Sequence, residues 1–257
     1  MKRRSFIASA ALLGQAAYAQ VIDLNDAINK AGRQRMLSQR ISKAYLAVAH
    51  KVEVNAAQQV LERSLALFDR QLAELKAFAP SPDIRETYAR LDGPWSEFKG
   101  VVGAAPAREQ AAKLLQLDSS ILALSNQGTQ QYEKASAKAV GRLVNIAGRQ
   151  RMLSQRMAKF YLAGAMNVDP QGSQAEIGKA RTEFLAAMET LRNAPEATPR
   201  IREELALGDS QWIFFDQGLQ QGDGAHSAKQ MSNVFVSSEN LLSVMDRVTG
   251  LYSAIKI

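Results

Sequence analysis

Ala31-Gly32-Arg33-Gln34-Arg35-Met36-Leu37-Ser38-Gln39-Arg40 returns without a change as Ala147 to Arg156, 116 residues further on. Between residues 29–47 and 145–163, 15 of 19 positions agree. Elsewhere the two halves share spacing more than identity. A packing constraint accepts any apolar residue of the right size, yet this string is mostly polar, so the chain specifies these particular side chains twice. On a helix it lays down two seams. Leu37, Ile41, Ala44 and Val48 form an apolar one, expected to face the core of its own bundle. Ile28, Gly32, Arg35, Gln39, Ser42 and Leu46 form the other, which becomes Val144, Gly148, Arg151, Gln155, Ala158 and Leu162 in the second copy.

Outward from the repeat, the apolar pattern is helical and heptad-like. Leu61, Leu65, Phe68, Leu72 and Leu75 step by 4-3-4-3, as do Ile84, Tyr88, Leu91, Trp95 and Phe98. The second half answers with Ile177, Arg181, Phe184, Met188, Leu191 and with Ile201, Leu205, Gly208, Trp212, Phe215. Breakers fall at corresponding places: Pro80-Ser81-Pro82 against Pro195 to Pro199, and Gly100 to Pro106 against Gly218 to Gly224. No strand or hairpin signal appears. The expected fold is all-α: two tandem up-down four-helix bundles with left-handed packing near 20°, over residues 20–137 and 138–257. Because residues 118–167 contain no proline, one long continuous helix is expected to join them end to end. The alternative is a turn near Gly141 that lays the bundles side by side.

Composition narrows the function. With 46% apolar and 22% charged residues, the chain is globular. It has no cysteine, and its two histidines, His50 and His226, occupy non-equivalent places. Neither a metal centre nor a cofactor is therefore expected. Residues 1–19 read as a signal peptide, with Lys2, Arg3 and Arg4, an apolar run to Leu13, and Ala17-Tyr18-Ala19 as cleavage site. Arg3-Arg4 also fits twin-arginine export, so either that route or the Sec route leads to the periplasm. Cleavage removes three of the 32 basic residues and none of the 25 acidic ones, leaving a net charge of +4. Nucleic acid is not an expected partner. No nucleophile–base pair, buried carboxylate pair or phosphate loop recurs in the two halves, so no enzymatic activity is expected.

The arginines in the second seam carry the chemistry. A guanidinium at a helix contact loses hydration, which costs several kcal/mol unless an anion or a partner offsets it. Arg35 has Ala31, Gly32, Ser38 and Gln39 at helical neighbour positions, and Arg151 has Ala147, Gly148, Ser154 and Gln155. None is acidic. Two such helices face to face would offer two forks of donors to one planar anion. The competing reading pairs these arginines with acids of another helix, Glu62, Asp69 or Glu74, or lets them reach solvent. Arg33, Arg40 and Lys43 read as a solvated flank, and Met36 and Met152 as packing residues.

Ile28-Asn29-Lys30-Ala31-Gly32-Arg33-Gln34-Arg35-Met36 and Val144-Asn145-Ile146-Ala147-Gly148-Arg149-Gln150-Arg151-Met152 resemble the P-box of the NarX/PilJ-type sensor domain. That domain is the periplasmic N-terminus of nitrate/nitrite sensor kinases and of type IV pilus chemotaxis transducers, and the resemblance covers nearly the whole mature chain as two copies. It implies a four-helix bundle that holds nitrate or nitrite at a two-fold dimer interface through the arginine three residues after the glycine. Carried over, the ligand-binding set is Arg35 and Arg151, Gly32 and Gly148, Asn29 and Asn145, Gln39 and Gln155, with Lys30 matching a lysine of the nitrate-sensor version. Ile146 stands at that lysine position in the second copy. Members usually carry membrane helices and a signalling output, and neither is seen before Ile257. The expected function is thus a periplasmic binding module for a small oxyanion that informs a membrane-bound sensor or transducer, with a homodimer as one way to assemble the site. The alternative is a non-catalytic interaction protein that pairs with such a sensor through the repeated helix.

Overall fold

A computed structural model of the protein describes residues 20–220 and 226–255. The expected signal peptide, and residues 221–224 of the last breaker, lie outside this range. Among the described residues there are eight helices and no strand: α1 (Leu24–Ala49), α2 (Val54–Phe78), α3 (Pro82–Gly103), α4 (Arg108–Ser136), α5 (Ala139–Ala165), α6 (Pro170–Asn193), α7 (Pro199–Leu219) and α8 (Ala228–Ser253). None is long and apolar enough to cross a membrane.

Local chemistry sets the ends. Asp23 caps α1 by accepting from the Asp26 amide at 2.8 Å, satisfying one of the orphan donors of a helix start. Ser81 and Thr198 cap α3 and α7, each followed by proline at the first helical position, where its missing N–H costs nothing. The α1–α2 turn uses left-handed residues at Lys51 and Glu53, and the α5–α6 turn repeats them at Asn167 and Asp169. The turns are thus duplicated even where the sequence has drifted.

Each half closes on aromatic layers. Phe68 stacks on Trp95 with centroids 3.8 Å apart, and Phe184 on Trp212 at 4.5 Å. Such pairs add about 0.5–1.5 kcal/mol beyond area burial. Tyr132 donates to the Leu75 carbonyl at 2.9 Å, and Tyr252 to that of Leu191 at 2.8 Å. The offset between equivalent residues grows along the chain, from 116 at Phe68/Phe184 to 117 at Trp95/Trp212 and 120 at Tyr132/Tyr252. Longer loops in the second half absorb the difference.

The expected continuous helix is not formed. α4 ends at Ser136, Ala137 adopts a left-handed conformation (φ 51°), and α5 starts at Ala139. The chain reverses there, and α5 packs along the full length of α1. Gly141 permits the close approach: a Cβ on it would lie 3.0 Å from Ser136 Oγ and 3.1 Å from Ile28 Cδ1. An end-to-end arrangement would leave the second seam of each repeated helix in water. The side-by-side one buries Ile28, Leu46, Val144 and Leu162 completely, each worth roughly 1.5–3 kcal/mol. Arg35 meets Asn145 and, further along, His50 meets Leu162, so α1 and α5 run parallel. The two bundles share one apolar core, and the molecule has an internal two-fold relation about the α1–α5 contact.

Candidate functional site

The two glycines of the repeat face the α1–α5 contact. A Cβ on Gly32 would lie 3.2 Å from Arg35 Nη2 and 3.6 Å from Arg151 Nη2; on Gly148 it would lie 3.1 Å from Arg151 Nη2 and 3.8 Å from Arg35 Nη2. Both guanidiniums therefore occupy the space that the missing side chains leave. Helical side chains lean towards the N-terminus, and each arginine crosses in that direction to the opposite helix. Arg35 Nη2 donates to Asn145 Oδ1 at 2.7 Å and to the Asn145 carbonyl at 3.3 Å. Arg151 Nη2 donates to the Asn29 carbonyl at 3.0 Å.

The other fork tine of each arginine reaches an outer helix. Arg35 Nη1 donates to Asn126 Oδ1 on α4 at 2.9 Å, and Arg151 Nη1 to Asp246 Oδ1 on α8 at 2.6 Å. The same oxygens take a second guanidinium: Arg149 Nη1 at Asn126 (3.3 Å) and Arg33 Nη2 at Asp246 (2.9 Å). Asn126 and Asp246 are 120 residues apart, the α4–α8 offset, and so are equivalent. One half closes its arginine pair with a carboxylate and the other with a neutral amide.

Electrostatics follow. Arg35 and Arg151 are fully buried. Burial first, then the neighbouring Arg149 and Arg151, pushes the Arg35 guanidinium down to about 9, with Glu133 and Glu183 opposing. Burial and Arg33 push Arg151 down to about 10, with Asp246 opposing. Arginine nevertheless keeps its proton at neutral pH, and of the two only Arg151 has a carboxylate in direct contact, Asp246 at 2.6 Å. Both Nε donors are buried without a hydrogen-bond partner among the described residues, each costing about 1–3 kcal/mol if left so.

A second polar layer lies further along the same contact. Gln39 Nε2 donates to both oxygens of Asp118, which also pairs with Lys159 at 2.5 Å; acid and lysine are fully buried. In the mirror position Gln155 donates to the Ser238 carbonyl, and Lys43 to Ser238 Oγ and Glu239.

Of the residues read from sequence, Arg35, Arg151, Gly32, Gly148, Asn29 and Asn145 come together, the last two chiefly as acceptors. Gln39 and Gln155 belong to the second layer. Lys30 is drawn off by Asp26 (3.1 Å) and by Glu74 on α2 (2.8 Å). None of the three proposed acid partners reaches Arg35: Glu74 takes Lys30, Asp69 takes Trp95 and Lys99, and Glu62 is exposed. The solvated-flank reading also fails. Lys43 is completely buried against α8, and Arg33 and Arg40 pair there with Asp246 and Glu239. α8 belongs to the other half, which is why one bundle's pattern could not show it. Asn126, Asp246, Arg149, Asp118 and Lys159 were missed; shifting the last helices by 120 rather than 116 residues would have aligned the first two.

The family model described as type IV pili methyl-accepting chemotaxis transducer N-term, PilJ, matches residues 18–121 and again 132–233. The chain belongs to the PilJ family. Both PilJ copies include the repeated decapeptide, and the all-helical fold agrees with a signal-transduction sensor module. Asn126 and Asp246 both fall outside the matched ranges. No curated protein and no solved structure matches the chain.

Proposed function

We propose that this PilJ-family chain is a periplasmic sensor module that holds a small oxyanion, nitrate or nitrite, between α1 and α5. The observation that carries the reading is the convergence of two fully buried guanidiniums on the space between Gly32 and Gly148, each with an orphaned Nε. Like charges this close repel in a dry interface. A monovalent planar anion would offset that repulsion and accept the spare donors.

The resemblance to NarX/PilJ-type sensor domains supports the location, because it implies a site at a two-fold interface between copies. Here the two copies sit in one chain, so a homodimer is unnecessary for assembling the pair. Anion binding would draw α1 and α5 together, and a membrane-bound transducer is the partner we assign to read that change. Pairing with another sensor through the repeated seam is disfavoured, since α1 and α5 already bury that seam against each other.

Thermal shift and titration calorimetry with nitrate, nitrite, sulfate and chloride test the reading. A ligand bound only by the folded chain raises the midpoint by mass action. Nitrate or nitrite should do so in the wild type and not in Arg35→Gln plus Arg151→Gln. If no anion shifts the wild type, the reading is wrong.

A further inference from the structure

The two halves present equivalent clefts on their outer sides, and these differ in which helix supplies their acids. The first lies between α1, α2 and α8, and its acids Asp246 and Glu239 meet Arg33, Arg151, Arg40 and Lys43 directly. The second lies between α4, α5 and α6, has a volume of about 350 Å³, and is lined in part by Asn126, Ser119, Arg149, Arg156 and Glu183. Asn126 and Ser119 replace the carboxylates Asp246 and Glu239 at the 120-residue offset. α6 brings its own acids: Glu183 takes Arg149 through Nε and Nη2, and Glu176 takes Arg156. Neither touches Arg35. That leaves a buried arginine whose hydrogen-bond acceptors are all neutral, separated from an open cleft by one half-buried amide.

We propose that this cleft is a second, one-sided anion site, distinct from the midline between the glycines, and that it takes a small organic carboxylate. Asp246 shows what the geometry accepts: a single carboxylate oxygen receiving one buried and one outer guanidinium. In the second half, rotation of the Asn126 amide opens the way from the cleft to Arg35 Nη1. The incoming carboxylate then bridges Arg35 and Arg149 as Asp246 bridges Arg151 and Arg33. Asn126 is a gate, and Asp246 is a built-in ligand that closes the equivalent site. The site goes beyond the midline reading and shares only Arg35 with it.

Titration calorimetry of the full chain with sodium acetate at constant ionic strength tests this. The wild type should bind one equivalent. Asn126→Asp, which supplies the carboxylate internally, should weaken acetate at least tenfold, and Asp246→Asn should raise the stoichiometry to two. Unchanged acetate affinity in Asn126→Asp, or a single equivalent in a folded Asp246→Asn, overturns the proposal. Nitrate separates it from the midline reading. A chain that answers nitrate and ignores acetate keeps the midline site and loses this one. A chain that answers acetate in the Asn126-dependent way and ignores nitrate does the reverse.

Discussion

Asn126 on α4 and Asp246 on α8 are equivalent, and each bridges a buried arginine of one repeat to an outer arginine of the other. The duplicated chain has thus kept the geometry of its arginine pair while splitting the charge. Against the burial that would raise it, Arg151 and Arg33 hold the Asp246 carboxyl well below the usual range. Its side chain is nonetheless 45% exposed, so water screens much of the pairing. Asp246→Asn should therefore cost about 1–2 kcal/mol rather than the several expected for a dry pair. Thermal unfolding followed by circular dichroism should show a midpoint lower by roughly 2–8 °C.

The glycines make a separate prediction, because alanine there acts on the site and the helix in opposite senses. In Gly148→Ala the new methyl would lie 3.1 Å from Arg151 Nη2 and 3.8 Å from Arg35 Nη2, so the Arg151 fork must give way by a few tenths of an ångström. Alanine also gains up to about 1 kcal/mol of helix propensity. Gly148→Ala should leave overall stability within about 1 kcal/mol of wild type while reducing the midpoint shift caused by nitrate at least tenfold in apparent affinity. Equal nitrate affinity in the two proteins would show that the ligand lies elsewhere.

How far the sequence reached follows from what its periodicity encodes. The helices and breakers were legible because heptad spacing and proline caps are local. The arginine seam was legible because glycine and arginine sit one turn apart in a string that drift had spared. The reversal at Ala137 was not: Glu133 to Val140 has good helix formers, and one left-handed alanine leaves no compositional trace. The partners of Lys43, Arg33 and Arg40 were hidden because they come from α8 across the internal two-fold. Arg33 and Arg35 are two residues apart and so point to opposite sides of α1, which is how one repeat serves both outer helices.

Acid should weaken the α1–α8 contact through Glu239. Against burial, which would raise it, Lys43 and Arg40 hold this carboxyl down at about 2, from an ordinary 4.5. A carboxylate depressed on folding contributes stability that is fully present above the unfolded value and lost as pH falls through the folded one. The contribution, about 2–3 kcal/mol, should thus be complete above pH 4.5 and gone near pH 2. Urea unfolding of wild type and Glu239→Gln should differ by that amount at neutral pH, with the gap closing between those two values. A gap independent of pH would mean that the carboxylate's charge contributes nothing.

The buried pair Lys159–Asp118 should behave quite differently from the surface-facing pairs. Both side chains are inaccessible to water, and Asp118 also accepts two bonds from Gln39. Removing the acid alone strands an ammonium in the core, and breaking such a pair costs about 3–5 kcal/mol. Asp118→Ala should therefore be among the most damaging single substitutions away from the apolar core. Burial already pushes the Lys159 ammonium down, with Asp118 opposing, so without the acid the lysine should fold in its neutral form. The stability of Asp118→Ala should accordingly recover as pH rises, whereas Asp118→Ala plus Lys159→Met should regain most of the loss at every pH. Urea unfolding at neutral and alkaline pH measures both. If the double variant stays as unstable as Asp118→Ala, the damage comes from lost packing and lost Gln39 bonds rather than from the stranded charge.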